Sequence, residues 1–132
     1  MPQENVELVR SIYRAGGRSR FFDLMDEQIE VDASAYSPVP DYPHVIRGKA
    51  VVIDFYRQYW GTWEDYVVKP TAFTDLGEGR VLVDLHEQGR GKGSGARVER
   101  HSTLLFTLRA GQLTRLQAFE NREAALEAEP PG

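Results

Sequence analysis

The 132-residue chain has no cysteine, which excludes a disulfide framework, a thiolate metal site and a thiol nucleophile and fits a reducing compartment. It has no excess of positive charge: 16 Lys and Arg against 20 Asp and Glu give a formal charge of −4, so no basic face is on offer to nucleic acid. No window approaches the ~18 consecutive apolar residues of a membrane-spanning helix, so no membrane partner is expected. The opening residues, Met-Pro-Gln-Glu-Asn-Val-Glu, are acidic and lack the apolar segment of a signal peptide. There is no internal repeat and no linker. The expectation is a cytoplasmic protein folded as a single domain over residues 1–132, a size that buries roughly 65–70% of the unfolded surface.

What is present is organised around Val98 to Glu120, which reads as a long strand, an Ala110-Gly111 turn and a returning strand. Val98, Leu104, Phe106 and Leu108 share one phase, with Leu116 and Ala118 on the return. This alternation implies a sheet with one wet and one buried face. Arg100, Ser102, Thr114 and Glu120 are polar residues in the buried phase.

In chain order, Val6, Val9 and Tyr13, widened by Leu8 and Ile12, predict a helix from Gln3 to Arg14 that Gly16-Gly17 ends. Ser19 can cap a short second helix running through Met25. Ile29, Val31 and Ala33 alternate with Glu30, Asp32 and Ser34 as a short strand, in which Asp32 points away from the buried side. Ser37 to His44, with Pro38, Pro40 and Pro43, predicts a loop that could serve as a lid. Val52, Phe55, Tyr56, Tyr59 and Trp63 form a helical stripe over Gly48 to about Asp65. Tyr66–Leu76 and Arg80–Gln88 read as successive strands, and Gly89–Gly95 as the tip of a hairpin leading to Val98. A glycine-rich phosphate loop is disfavoured there because strand follows strand. Arg122–Ala128 is helix-prone. This order predicts an α+β fold in which a curved antiparallel sheet wraps around a long helix and two shorter N-terminal helices.

Four stretches carry a resemblance: Glu4-Asn5-Val6-Glu7-Leu8-Val9-Arg10, Arg47-Gly48-Lys49-Ala50, Gly89-Arg90-Gly91-Lys92-Gly93-Ser94-Gly95 and Arg122-Glu123-Ala124-Ala125-Leu126-Glu127-Ala128. Together and in order they resemble the SnoaL-like branch of the nuclear transport factor 2-like superfamily, across nearly the whole chain. The resemblance implies a cone-shaped α+β barrel with a largely apolar pocket for a small apolar molecule, and a homodimer formed through the outer sheet face. It implies no single activity, because this superfamily contains isomerases, cyclases, hydrolases, dehydratases and non-enzymes. The ketosteroid isomerase set is not reproduced: Tyr56 matches the supporting tyrosine and Tyr13 lies within about one position of the donor tyrosine, but the protonated acid falls at Leu104 and the base at about Ala33. The acid of SnoaL-type cyclases falls at Ala118, with Glu120 one alternation further along.

Two constellations then offer chemistry. Glu120, in phase with Leu116 and Ala118, is a candidate acid/base residue, or else a solvated residue where the strand frays. If the hairpin turns about Gly93-Ser94, Leu85 faces Ser102, His86 faces His101 and Glu87 faces Arg100. A Glu87–Arg100 pair in the buried phase could move a proton and polarise an oxygen, or could be purely structural. His86 and His101 fall on the opposite face, and no third ligand in phase supports a metal site. Tyr56, Tyr59, Trp60 and Trp63 form an aromatic wall. The substrate-binding expectation covers Tyr13, Tyr56, Trp60, Ser102, Leu104, Leu116 and Ala118. No cofactor is implied. Acid/base enzyme and non-catalytic dimeric ligand-binding module both remain open.

Overall fold

The protein is described by a computed structural model that covers residues 2–37 and 44–130. The elements run α1 (Pro2–Ser11), α2 (Gly17–Leu24), β1 (Met25–Asp32), β2 (Val45–Arg47), α3 (Lys49–Gly61), β3 (Trp63–Gly77), β4 (Arg80–Gly91), β5 (Arg97–Arg109), β6 (Gln112–Phe119) and α4 (Arg122–Ala128). One six-stranded sheet has the order β2-β1-β6-β5-β4-β3. It is the open, curved sheet of an α+β cone, with α1, α2 and α3 on its concave side. The residues 38–43 of the proline-rich segment, and with them the lid reading, lie outside the described residues.

The sheet is mixed, not wholly antiparallel: β1 runs parallel to β6, with Val31 beside Leu116. This pairing joins strands over eighty residues apart, and no local pattern announces it. From β3 to β6 the chain is an antiparallel meander, with register shifts in the β3–β4 and β5–β6 pairings and none between β4 and β5. Ala110 and Gly111 both take positive φ, 52° and 78°, as a two-residue turn that follows the twist of its strands. The β4–β5 register is the one that the hairpin tip implied, with Leu85 opposite Ser102, His86 opposite His101 and Glu87 opposite Arg100.

The inner core gathers Val9 from α1, Val52 from α3, and Ile29, Val83, Phe106 and Leu116 from the sheet. Burying each such side chain contributes about 1.5–3 kcal/mol. The outer face is not uniformly wet. Leu76, Leu82, Leu105 and Phe119 form a second core beneath Ala125 of α4. That helix is capped by Asn121, whose side chain accepts a hydrogen bond from the Ala124 amide at 2.9 Å.

Several boundaries differ from the sequence reading for local reasons. The helical stripe stops before Trp63, because Thr62 turns its hydroxyl back onto the Tyr59 carbonyl at 2.6 Å and β3 starts at once. Ser19 is not the cap of α2: Gly16, with φ 77°, holds that position. Asp32 points to the outer side, where it accepts from the Ser34 amide and hydroxyl and pairs with Arg115 at 3.2 Å. Burial would raise its pKa, but Ser34 and Arg115 outweigh it and hold the carboxyl below its ordinary value.

Gly17 is required by contact. A Cβ there would lie 1.8 Å from the Ile12 carbonyl oxygen, whereas one on Gly16 would meet no atom within 4 Å. Gly17→Ala is therefore expected to cost about 3 kcal/mol through forced backbone movement, and Gly16→Ala about 1 kcal/mol through its left-handed backbone alone. Urea unfolding midpoints of the two variants test this ranking, and equal losses would contradict it.

Candidate functional site

Between the concave sheet face and the helices lies a cavity of about 590 Å³, within the range of small-molecule sites. The sheet supplies Leu85, Leu104, Phe106, Leu116 and Ala118, and α3 supplies Phe55, Tyr56, Tyr59 and Trp60. Alternation on the strands puts the aliphatic set on one face. The i, i+1, i+4, i+5 spacing on α3 turns its four rings toward them. The rings also pack on one another and on α2: Phe21 meets Tyr56 edge-on at 5.0 Å, and Phe22 stacks on Trp60 at 5.5 Å. Exposed lining residues, among them Arg14, Arg18, Ser19 and His44, mark an opening to solvent.

Among the described residues, Glu87 is the one carboxylate on the cavity wall. Tyr66 donates to its Oε2 at 2.7 Å, Ser102 donates to its Oε1 at 3.1 Å, and Arg100 Nη2 approaches Oε2 at 3.4 Å. Arg100 also donates to the Tyr59 hydroxyl. The pair is largely withdrawn from water, with side-chain exposures of 14% for Glu87 and 21% for Arg100. A carboxylate has about four acceptor positions. Three are filled here, which leaves one on Oε1.

The tyrosines around this carboxylate are held protonated. Burial, then the neighbouring Tyr56 and Glu87, raise Tyr13 far above its ordinary pKa; burial, then Tyr59 and Glu87, do the same for Tyr56. Tyr66 is raised as well, first by burial and then by Glu87. Tyr59 is raised by burial and by Glu87, against the pull of Arg100. Burial would lower Arg100, but Tyr59 and Glu87 keep it above its ordinary value. Tyr13 and Tyr56 keep some access to the cavity, and neither hydroxyl is hydrogen-bonded among the described residues. Both are donors available to a bound molecule.

Of the residues singled out from the sequence, Tyr13, Tyr56, Trp60, Leu104, Leu116, Ala118 and Glu87 line the cavity. Ser102 and Arg100 sit behind the wall and hold Glu87. Glu120 is a correction. It is exposed, one residue beyond β6, and borders a separate cleft of about 160 Å³ with Asp84, His101 and Arg122. Phe119 turns into the outer core, so the strand ends before its alternation can carry Glu120 inward. Thr114 does not reach the cavity either: a register shift between Thr107 and Leu108 interrupts the alternation, and its hydroxyl donates to the Thr107 carbonyl at 3.1 Å. The His86 and His101 rings lie 4.8 Å apart, tilted by 33°, away from the cavity, with His86 Nε2 2.8 Å from Glu99.

Sequence reasoning missed Tyr66. The signal was Gly89, a strand glycine in phase with Leu85 and Glu87: a Cβ there would lie 3.0 Å from the Trp63 ring and 3.3 Å from Tyr66. A glycine inside a strand marks such close approach.

No protein-family profile and no curated protein matches the sequence. Solved structures do match. A candidate SnoaL-like polyketide cyclase from Jannaschia sp. CCS1 is 21% identical with a TM-score of 0.75, covering 98% of this chain and 94% of that one. An NTF2-like protein of unknown function from Burkholderia pseudomallei K96243 is 16% identical with a TM-score of 0.73, over 93% and 95% of the two chains. A candidate isomerase from Bacillus subtilis is 19% identical with a TM-score of 0.72, over 100% and 97%. These likenesses show the fold: the chain has the SnoaL-like, NTF2-like cone. Among the described residues, no helix is long and apolar enough to cross a membrane.

Proposed function

We propose that this protein, built on the cone shared with candidate cyclases and isomerases, binds an apolar carbonyl compound and moves a proton on it by acid/base catalysis. The observation that carries this reading is the placement of Glu87, the one carboxylate on the described cavity wall, held by Tyr66, Ser102 and Arg100 with an acceptor position to spare. In the proposed step, Glu87 takes a proton from the carbon next to the carbonyl. The C–H electron pair moves to form an enolate, whose oxygen accepts from the hydroxyl of Tyr13 or Tyr56, neither of which has a partner among the described residues. Glu87 then returns the proton, to the same carbon or to a conjugated one. Arg100 is a positioning residue in this scheme, because it reaches Glu87 and Tyr59 and not the cavity.

The test is hydrogen–deuterium exchange, followed by proton NMR, of a panel of cyclic and aryl ketones in D2O. Wild-type protein is expected to accelerate exchange next to the carbonyl, and Glu87→Gln to slow it at least about 100-fold. Tyr66→Phe, which removes one donor to Glu87, is expected to slow exchange about tenfold while leaving ligand affinity within about twofold. Ketone binding without exchange in the wild type would reject catalysis and favour the alternative, a ligand-binding module in which Glu87 only anchors the wall. That alternative has its own support: three donors already engage this carboxylate.

A further inference from the structure

Among the described residues, the formal charges on the cavity wall are segregated. Glu87 stands at the withdrawn end, while Arg14 and Arg18 stand at the exposed rim. Arg18 lies with its guanidinium 4.4 Å from the centroid of the Trp60 ring, so the same indole that walls the cavity fixes a cation at its entrance. Among the described residues, no ion pair uses Arg18. Arg14 shares Glu7 at 3.3 Å, with both side chains more than half exposed, a pairing that a competing anion can replace at little cost. The first turn of α2 contributes the exposed Ser19 to the same rim, with buried Gly17 lining the wall beside it, and among the described residues no side chain caps that helix. Its amides add positive potential where the arginines already stand.

We infer that the cavity's ligand is an apolar organic acid bearing one anionic group, a carboxylate or a group of like charge, which enters apolar end first and leaves the anion at the Arg14–Arg18 rim. The opposite orientation would press the anion toward Glu87, a like charge in a poorly solvated place, and would leave the arginines unused. The rim therefore selects for charge and fixes direction together. The inference rests on the reading that the cavity holds a small molecule. It adds which chemical class is held and which way round, and so places the reacting carbon at the end remote from the anion.

Two fluorescent probes with the same aromatic body separate charge from packing: 1-anilinonaphthalene-8-sulfonate, an anion, and the neutral N-phenyl-1-naphthylamine. Arg18→Gln is expected to weaken the anionic probe about fivefold and the neutral probe less than twofold, with Arg18→Lys restoring most of the difference. Raising ionic strength from about 0.02 M to about 0.5 M is expected to shrink the gap in wild-type protein and to do little in Arg18→Gln. Arg18 is exposed at the start of a helix, so the variant is expected to fold. If Arg18→Gln weakens both probes equally, or neither, the charge inference is overturned while the cavity reading stands. Probe binding must also fall in Ala118→Phe, or in Ala118→Leu if the larger side chain does not fold. Binding of neither probe to wild type, or binding that survives cavity filling, overturns both readings.

Discussion

Raising the pH from 7 to 11 is expected to remove about 4 kcal/mol of folding stability, through three tyrosines alone. Tyr13, Tyr56 and Tyr66 are each held protonated far above the ordinary range, with burial as the leading cause. In the unfolded chain they ionise near pH 10. Folded pKa values above unfolded ones mean that the stabilisation is complete below pH 10 and is lost as pH rises past it, because the unfolded state releases protons that the folded state keeps. One pH unit above that threshold, each group contributes a loss of roughly 1–2 kcal/mol. Since small domains are stable by only about 5–15 kcal/mol, a loss of that size is a large share of the total. Urea unfolding at stepped pH, with tyrosinate absorbance as a second probe, measures this. Tyr13→Phe keeps the edge-on contact with Phe73 at 6.1 Å and removes only the titrating group, so it should flatten the alkaline slope by about one third. Ionisation of all six tyrosines in the folded state near pH 10 would contradict the burial of the cluster.

The same cluster shows how much of the molecule can be read from its sequence. The β4–β5 hairpin was legible because a regular antiparallel ladder is fixed by its tip: Gly93-Ser94 places Glu87 against Arg100 with no knowledge of the rest. The cavity wall was legible for the same reason, since Leu104, Phe106, Leu116 and Ala118 alternate without interruption on two paired strands. What failed were positions where one element gives way to another. Trp63 continues the helical spacing from Tyr59, yet the chain has already become β3 at that point. Glu120 continues the strand spacing from Ala118, yet the demand of α4 for Phe119 beneath it ends the strand. Periodicity describes elements while they last and carries no information about where tertiary contacts stop them. The parallel β1–β6 pairing and the approach of Tyr66 on β3 to Glu87 on β4 depend on packing between segments that no short window contains.

Arg100→Met is expected to destabilise the protein by about 3 kcal/mol, whereas Glu87→Gln should cost no more than about 1 kcal/mol. The asymmetry follows from what each change leaves behind. Without Arg100, the Glu87 carboxylate remains in a place where its side chain is 14% exposed, near Tyr59, with only the two hydroxyl donors Tyr66 and Ser102. Without the Glu87 charge, Arg100 still donates to Tyr59, lies 5.8 Å from the centroid of the Trp63 ring and keeps 21% exposure, while a glutamine oxygen can go on accepting from Tyr66. Combining the two changes should therefore recover most of the loss, with a coupling energy of about 3 kcal/mol in a double-mutant cycle read from urea midpoints. Such a result would mean that the carboxylate itself contributes little to folding and that its neighbours are arranged to tolerate it. A charge of that kind, kept on a cavity wall at no gain in stability, fits a group retained for its chemistry. An Arg100→Met variant as stable as wild type would instead show that Tyr66 and Ser102 suffice, and would remove Arg100 from the positioning role proposed for it.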